Sequence, residues 1–378
     1  MAKRLLLCLL YILAALVLGG CWNYRGLDQV NIVVGIAVDF DKENNEYKMS
    51  YEVADLLTAE KRSNIGGRII TSQGKNLFDA ARNAKKKEQN RLYFGSSYIL
   101  VISQQFAKEE GIFDAIEWFL RDGECRETMC VALSQEDTAG VILEKDEKMS
   151  GIMSSIIHGI ITKDNSSTAS TIHIKLYDVY SMLKSKGNAA ILPVLRKTKN
   201  GDREVTEVNG SAVFKGDKLA GFLTPEESRY VLFAGDKLEG GILTLDMAGR
   251  ETDDIALEIF HSDTKKSFSY QQERLKVKIE SSIDVAVTEN HEELDVTNEE
   301  VIKQIEEAAE GMIEEKIKAV VEKVQQEYQA DIFGFSDMVY KRDLKLWEEL
   351  EPHWDEVFSD IEIEVSSKVH IVNSGFIK

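Results

Sequence analysis

Residues 297–331 read TNEEVIKQIEEAAEGMIEEKIKAVVEKVQQEYQAD, and this stretch decides the fold class. Val301, Ile305, Ala308, Met312, Ile313, Val320, Val324 and Tyr328 keep near-helical spacing on one face. The spacing predicts the longest helix of the chain, opened by a capping box of Thr297 and Glu300. The flanking segments follow another period. Residues 268–288, containing LKVKIESSIDVAV, alternate apolar and polar side chains as a long half-exposed strand does. Residues 361–372, IEIEVSSKVHIV, end the chain as a strand. Strand, long helix, strand predicts a helix packed across a sheet.

Toward the N-terminus the same two periods recur. Residues 207–223 read as a hairpin turning at Lys215-Gly216-Asp217. Thr224 then caps a short helix with Pro225 at its first position and Glu227 completing a capping box. Gly210, Gly216, Gly221, Gly240 and Gly241 suit turns at strand ends. Residues 187–203 are polar and turn-rich, and 137–195 are mixed, with helix near 168–184. Residues 98–103 and 128–133 read as strands around a helix at 111–120, and 31–40 and 47–56 as a hairpin about DKENNE. The fold class is therefore α+β or mixed α/β, multi-domain, with mixed sheets flanked by helices. The expected division is a signal segment 1–20, an N-terminal region 21–203 divisible into two subdomains, and a C-terminal domain 204–378.

The N-terminus reads as an address. Lys3 and Arg4 precede fourteen nearly unbroken apolar residues, Leu5 to Leu18, too few for a comfortable span and apt for a signal-peptide core. Leu18-Gly19-Gly20-Cys21 resembles a bacterial lipobox, which makes Cys21 the expected lipidated residue. Two acyl chains convert reversible into stable membrane attachment. Trp22 and Tyr24 would then lie beside the lipid, where amphipathic rings favour the interface.

The whole chain carries a net charge of −19; without residues 1–20 there are 44 basic against 65 acidic side chains, or −21. That balance argues against nucleic acid as a partner and against adsorption to an anionic membrane by net charge. Arg82, Lys85, Lys86, Lys87 and Arg91 form the strongest basic cluster of this acidic chain, on a helix-like stretch with Leu77, Phe78, Ala81 and Ala84 on one face. Either it is a solvated helix face or it touches lipid headgroups or an acidic partner.

Chemistry leaves few marks. Asp39, Asp41, Glu43 and Asn45 alternate at calcium-ligand spacing, but Asn44 stands where the loop needs glycine, so a solvated turn is expected. The six histidines form no ligand pair by spacing, and CxxC, P-loop, GxGxxG and GxSxG motifs are missing. Cys125 and Cys130 read as two unpaired thiols. No metal, cofactor or catalytic residue is expected. Phe333, Phe335, Trp347, Trp354 and Phe358 are either core or a contact patch.

Five blocks together resemble the Ger(x)C family, the C-subunit lipoproteins of spore germination receptors. They are CWNYRGLDQVNIVVGIAVDFD (21–41), RLYFGSSYILVIS (91–103), FLRDGE (119–124), GSAVFKGDKLAGFLTPEESRYVLFAGDKLEGGIL (210–243) and DIFGFSDMVYKRDLKLWEELEPHWDEVFSD (331–360). The resemblance implies a non-enzymatic lipoprotein of three α+β domains on the outer face of the spore inner membrane. It would be one subunit of a nutrient-germinant receptor, beside a multi-spanning A-type and a transporter-like B-type subunit. Lipid attachment carries over to Cys21; Trp22, Tyr24, Arg82, Lys85, Lys86 and Lys87 are the candidate partner or membrane contacts. The competing readings are a solute-binding lipoprotein, which would show two similar lobes about a cleft, and an extracytoplasmic hydrolase with a close carboxylate pair.

Overall fold

The computed structural model describes residues 3–4, 29–55, 66–145, 151–247, 255–290 and 294–373. Cys21, Trp22, Tyr24 and all of the signal segment except Lys3 and Arg4 lie outside the described residues.

Two unlike sheets organise the chain. The larger starts with β1 (Val30–Asp41), β2 (Glu46–Asp55) and β3 (Gly66–Gly74). Helix α1 (Leu77–Asn83) leads to the short β4 (Arg91–Tyr93) and to β5 (Ile99–Ser103). Helices α2 (Gln104–Glu109) and α3 (Phe113–Arg121) precede β6 (Cys130–Ser134). Helices α4 (Gly140–Leu143), α5 (Met153–Asp164) and α6 (Leu176–Lys184) then precede β7 (Ile191–Asn200), β8 (Arg203–Lys215) and β9 (Lys218–Leu223). The strand order is β3-β2-β1-β5-β6-β7-β8-β9, with β4 beside β1. The central strands β1, β5, β6 and β7 run parallel, and antiparallel pairs finish both sides. Burial on both faces explains the unbroken apolar runs ILVIS and CVALS of β5 and β6.

The smaller sheet follows α7 (Pro225–Ala234), whose Thr224 capping box and N-terminal proline form as expected. Its strands are β10 (Gly241–Leu245), β11 (Ile255–Gln271), β12 (Arg274–Asn290) and β13 (Glu362–Asn373), in that order. Between β12 and β13 run the long α8 (Glu299–Lys323), a π-turn over Val324–Tyr328, and α9 (Phe335–Arg342), α10 (Leu344–Leu350) and α11 (Trp354–Asp360). β12 and β13 pair in parallel, so α8 is the crossover helix that the period of its sequence demands. The stripe it buries is Ile305, Ala309, Ile313, Ile317, Val320 and Val321, about 2 kcal/mol for each large side chain. Ala308 and Met312 sit one step off that stripe.

α8 also disarms an edge. β13 is the outermost strand of its sheet, and Ser367, Val369 and Ile371 donate their outward N–H groups to Glu314, Glu310 and Glu306 of α8. Four helical residues rise about 6.0 Å and two strand residues about 6.6 Å. The antiparallel ladder of glutamates therefore stays in step with alternate amides. Covering an edge in this way blocks strand-to-strand association.

Several expected elements shift. Residues 268–288 straddle a hairpin: Gln272 and Glu273 both have positive φ, 52° and 60°, and turn β11 into β12. Neither is the Gly or Asn that marks such turns, so the break is silent in the sequence. Asn298, not Thr297, caps α8 by accepting the N–H of Glu300, because the Thr297 hydroxyl donates to Asp295. Helix near 168–184 is confined to α6; Thr168, Ser170 and Thr171 instead wrap the carboxylate of Asp164 at the end of α5. The turn-rich 187–203 holds β7, whose bulge at Pro193 hides its strand character. β7 and β8 form a hairpin about Gly201 and Asp202, so the large sheet continues across residue 203. Gly221 lies inside β9, where a Cβ would come within 2.4 Å of the Tyr328 ring, and the Tyr328 hydroxyl donates to the Phe222 carbonyl.

Phe333, Phe335, Trp347, Trp354 and Phe358 are all buried, which resolves them as core. The segment that carries them meets the residues leading into β7: the Asp331 carbonyl accepts the Ala189 N–H, and the Ser336 hydroxyl donates to Asn188.

Candidate functional site

The basic cluster stands on α1 and the 3₁₀ turn Ala84–Lys86 that prolongs it. Asn76 starts α1 by accepting the N–H of Asp79. Leu77, Ala80 and Ala84 point into the core, a tighter stripe than the expected Leu77-Phe78-Ala81-Ala84 face. Phe78 is instead 55% exposed, and the Arg82 guanidinium lies over its ring, 4.8 Å from the centroid. Lys85, Lys86 and Lys87 are exposed.

The cations divide into tied and spare. Arg68 of β3 grips Glu88 through both nitrogens at 2.6 and 2.7 Å, and Asn31 of β1 donates to the same carboxylate at 2.7 Å. The Arg68 guanidinium holds the Glu88 carboxyl below the ordinary carboxylate range. Arg91 pairs with Glu124, and Lys87 donates to the Thr71 carbonyl at 2.7 Å. Arg82, Lys85 and Lys86 make no ion pair among the described residues.

A groove of about 300 Å³ opens beside them. Leu92, Phe94, Ala81, Phe78 and Trp118 line it with apolar side chains, and Arg82, Lys85 and Arg91 with basic ones. Asp122 and Glu124 also face it, the latter already tied to Arg91. β4 pairs with the very start of β1, Val30 against Arg91, so β1 begins at this rim. Glu88 and Trp118 are silent in the sequence, and the expected apolar face turns Phe78 inward. The wrong helix face hid Phe78, and only the fold brings Glu88 to Arg68 and Trp118 to the groove.

Other groups with chemical potential are already occupied. Asp39, expected in a solvated turn, is buried and accepts the N–H groups of Ala139 and Gly140. Glu52 accepts those of Met153 and Ser154, both at 2.7 Å, and the Ser154 hydroxyl. Asp331 accepts from Phe333, Phe335 and Ser336. Burial outweighs these bonds at Asp39 and Asp331 and raises both carboxyls above their ordinary range. Cys125 and Cys130 are free thiols pushed up to about 12 by burial, which suppresses the thiolate. His158 and His173 lie with ring centroids 6.1 Å apart, both lowered by burial. No cluster of three metal-ligating side chains occurs among the described residues. No described helix is long and apolar enough to cross a membrane.

Comparison with known proteins covers almost the whole chain. Residues 23–197 match the family described as spore germination protein N-terminal domain. Residues 209–375 match the family described as spore germination B3/GerAC like, C-terminal. Among curated relatives from Bacillus subtilis (strain 168), spore germination protein KC is 24% identical, covering 99% of this chain and 97% of its own. Spore germination protein B3 is 22% identical over 95% of each chain. Spore germination protein A3 is 24% identical, covering 99% of this chain and 98% of its own. A crystal structure titled as the GerBC protein shares the fold, with a TM-score of 0.61 at 18% identity, covering 90% of this chain and 97% of that one.

Proposed function

The chain belongs to the Ger(x)C family of spore-germination proteins, and from that premise we propose that it is the lipid-anchored subunit of a nutrient-germinant receptor. The observation that carries the reading is the end-to-end match: relatives named as spore germination proteins align over 95–99% of the chain. Cys21 becomes the lipidated N-terminus after removal of residues 1–20 and holds the protein on the outer face of the spore inner membrane. A net charge of −21 would not by itself hold it there.

The protein works by contact with A-type and B-type membrane subunits, not by catalysis. Supporting this, the buried carboxylates Asp39, Glu52 and Asp331 already accept hydrogen bonds from main-chain amides. The nine-stranded and four-stranded sheets are also unlike, where a solute-binding lipoprotein would pair two similar lobes. The test is germination of spores in which this receptor is the only one present. Cys21→Ala should abolish most nutrient-triggered germination and leave the response to receptor-bypassing agents intact. An unchanged nutrient response refutes the reading.

A further inference from the structure

We propose that the face bearing Arg82, Lys85 and Lys86 is a second membrane contact, seated on the headgroups of anionic glycerophospholipids. The inference rests on the lipid anchor at Cys21 proposed above and adds which side of the protein meets the bilayer.

Three independent features converge on this face. The first is where the chain leaves it. Val30 pairs with Arg91, and Asn31 donates to Glu88, so β1 begins against the basic rim. Cys21 is nine residues before Val30, a tether of at most about 30 Å. Whatever that tether's path, a lipid on Cys21 holds this end of the molecule near the bilayer and the distal sheet free to stand away.

The second is charge. In a chain of net charge −19, Arg82, Lys85 and Lys86 have no carboxylate partner among the described residues, whereas Arg68 and Arg91 beside them are paired. The acids near this face are Glu88, tied to Arg68, Glu124, tied to Arg91, Asp122, Asp55 beside Arg68, and Asp79 of α1, which accepts from the Lys75 N–H and the Asn83 amide; six cations, Arg68, Arg82, Lys85, Lys86, Lys87 and Arg91, stand against these five. The local balance is therefore positive, with the Lys87 ammonium on the Thr71 carbonyl. Within a Debye length of about 8–10 Å the bilayer senses this patch more than the distant acids. Each such cation at an anionic surface strengthens attachment roughly fivefold.

The third is shape and polarity. The groove is lined by apolar and cationic side chains together, and Phe78 projects 55% exposed beside Arg82. An anionic amphiphile matches that pairing, with phosphate at Arg82 and hydrocarbon at Phe78. A purely acidic protein surface would leave the ring in water.

The test uses the processed, lipidated chain floated with vesicles of phosphatidylcholine alone or with added phosphatidylglycerol. Acylation of individual lysines is followed by mass spectrometry. Lys85 and Lys86 should react roughly fivefold more slowly on the anionic vesicles than on the neutral ones. Lys265, exposed on the other sheet, should react equally on both, and Arg82→Glu should shrink the difference at Lys85 and Lys86. Failure to float with either vesicle overturns the anchor. Flotation with both and equal reactivity overturns the membrane-contact proposal while leaving the anchor standing. Protection that appears only when A-type or B-type subunits are added also overturns it and gives the face to a protein.

Discussion

The acidic interior and the basic rim treat charge in opposite ways. Inside, Asp39, Glu52 and Asp331 each accept two or more main-chain or hydroxyl hydrogens, and along β13 the half-buried Glu306, Glu310 and Glu314 each accept one main-chain N–H. All but Asp331, whose partners are local, join segments far apart in sequence, such as Glu52 with the start of α5. At the rim, Arg82, Lys85 and Lys86 make no ion pair among the described residues, and Arg82 covers only the Phe78 ring of its own helix. A charge already engaged by the fold has a structural reason to be there. A charge left over beside the chain's outlet is available to something outside.

The contrast orders what substitution should do. Glu52→Ala has the largest expected effect, because it strands the buried amides of Met153 and Ser154 at a cost of about 4 kcal/mol. Thermal unfolding should drop by on the order of 10 °C. A loss under about 2 °C would mean those amides find other partners. Next, replacing Glu306, Glu310 and Glu314 together by Ala should cost about 2 kcal/mol and free three edge amides. Sedimentation should then show concentration-dependent association through β13.

Glu88→Gln is a smaller change with a definite pH signature. The folded Glu88 carboxyl lies below its unfolded value because of Arg68, so the pair stabilises above the ordinary carboxylate range. That contribution is lost as pH falls through the depressed folded value. The gap between wild type and variant, about 1 kcal/mol or less, should close on acidification. Asp39 and Asp331 work in the opposite sense: their folded values are raised, so their contribution improves as pH falls through them. The smallest effect belongs to the rim, where Arg82→Glu with Lys85→Glu and Lys86→Glu should move the melting temperature by less than about 2 °C. A larger shift would show that these cations do serve the fold.

Much of this architecture is written in local pattern. The α8 periodicity, the Thr224 capping box and the β1–β2 hairpin are each decided within a few residues of themselves, and they fold as read. What local pattern misses depends on distant partners. The β11–β12 turn lacks a glycine because Gln272 and Glu273 take positive φ under the pull of sixteen paired residues on each side. Asp39 belongs to a polar run in sequence, yet Ala139 and Gly140 arrive from a hundred residues away to bury it. The rim shows both sides. Its lysines are plain in KKK, but Phe78 at the surface, Glu88 on Arg68 and Val30 beside Arg91 exist only once β1, β3 and β4 are assembled.

The proposed attachment at Cys21 is the point from which the proposed orientation and receptor role both proceed. Mass spectrometry of the N-terminal peptide, taken from the membrane fraction of dormant spores, addresses it most directly. The account predicts a mature chain beginning at Cys21, with the added mass of a diacylglyceryl group on its sulfur. A chain that retains residues before Cys21, or begins there with an unmodified thiol, would contradict it.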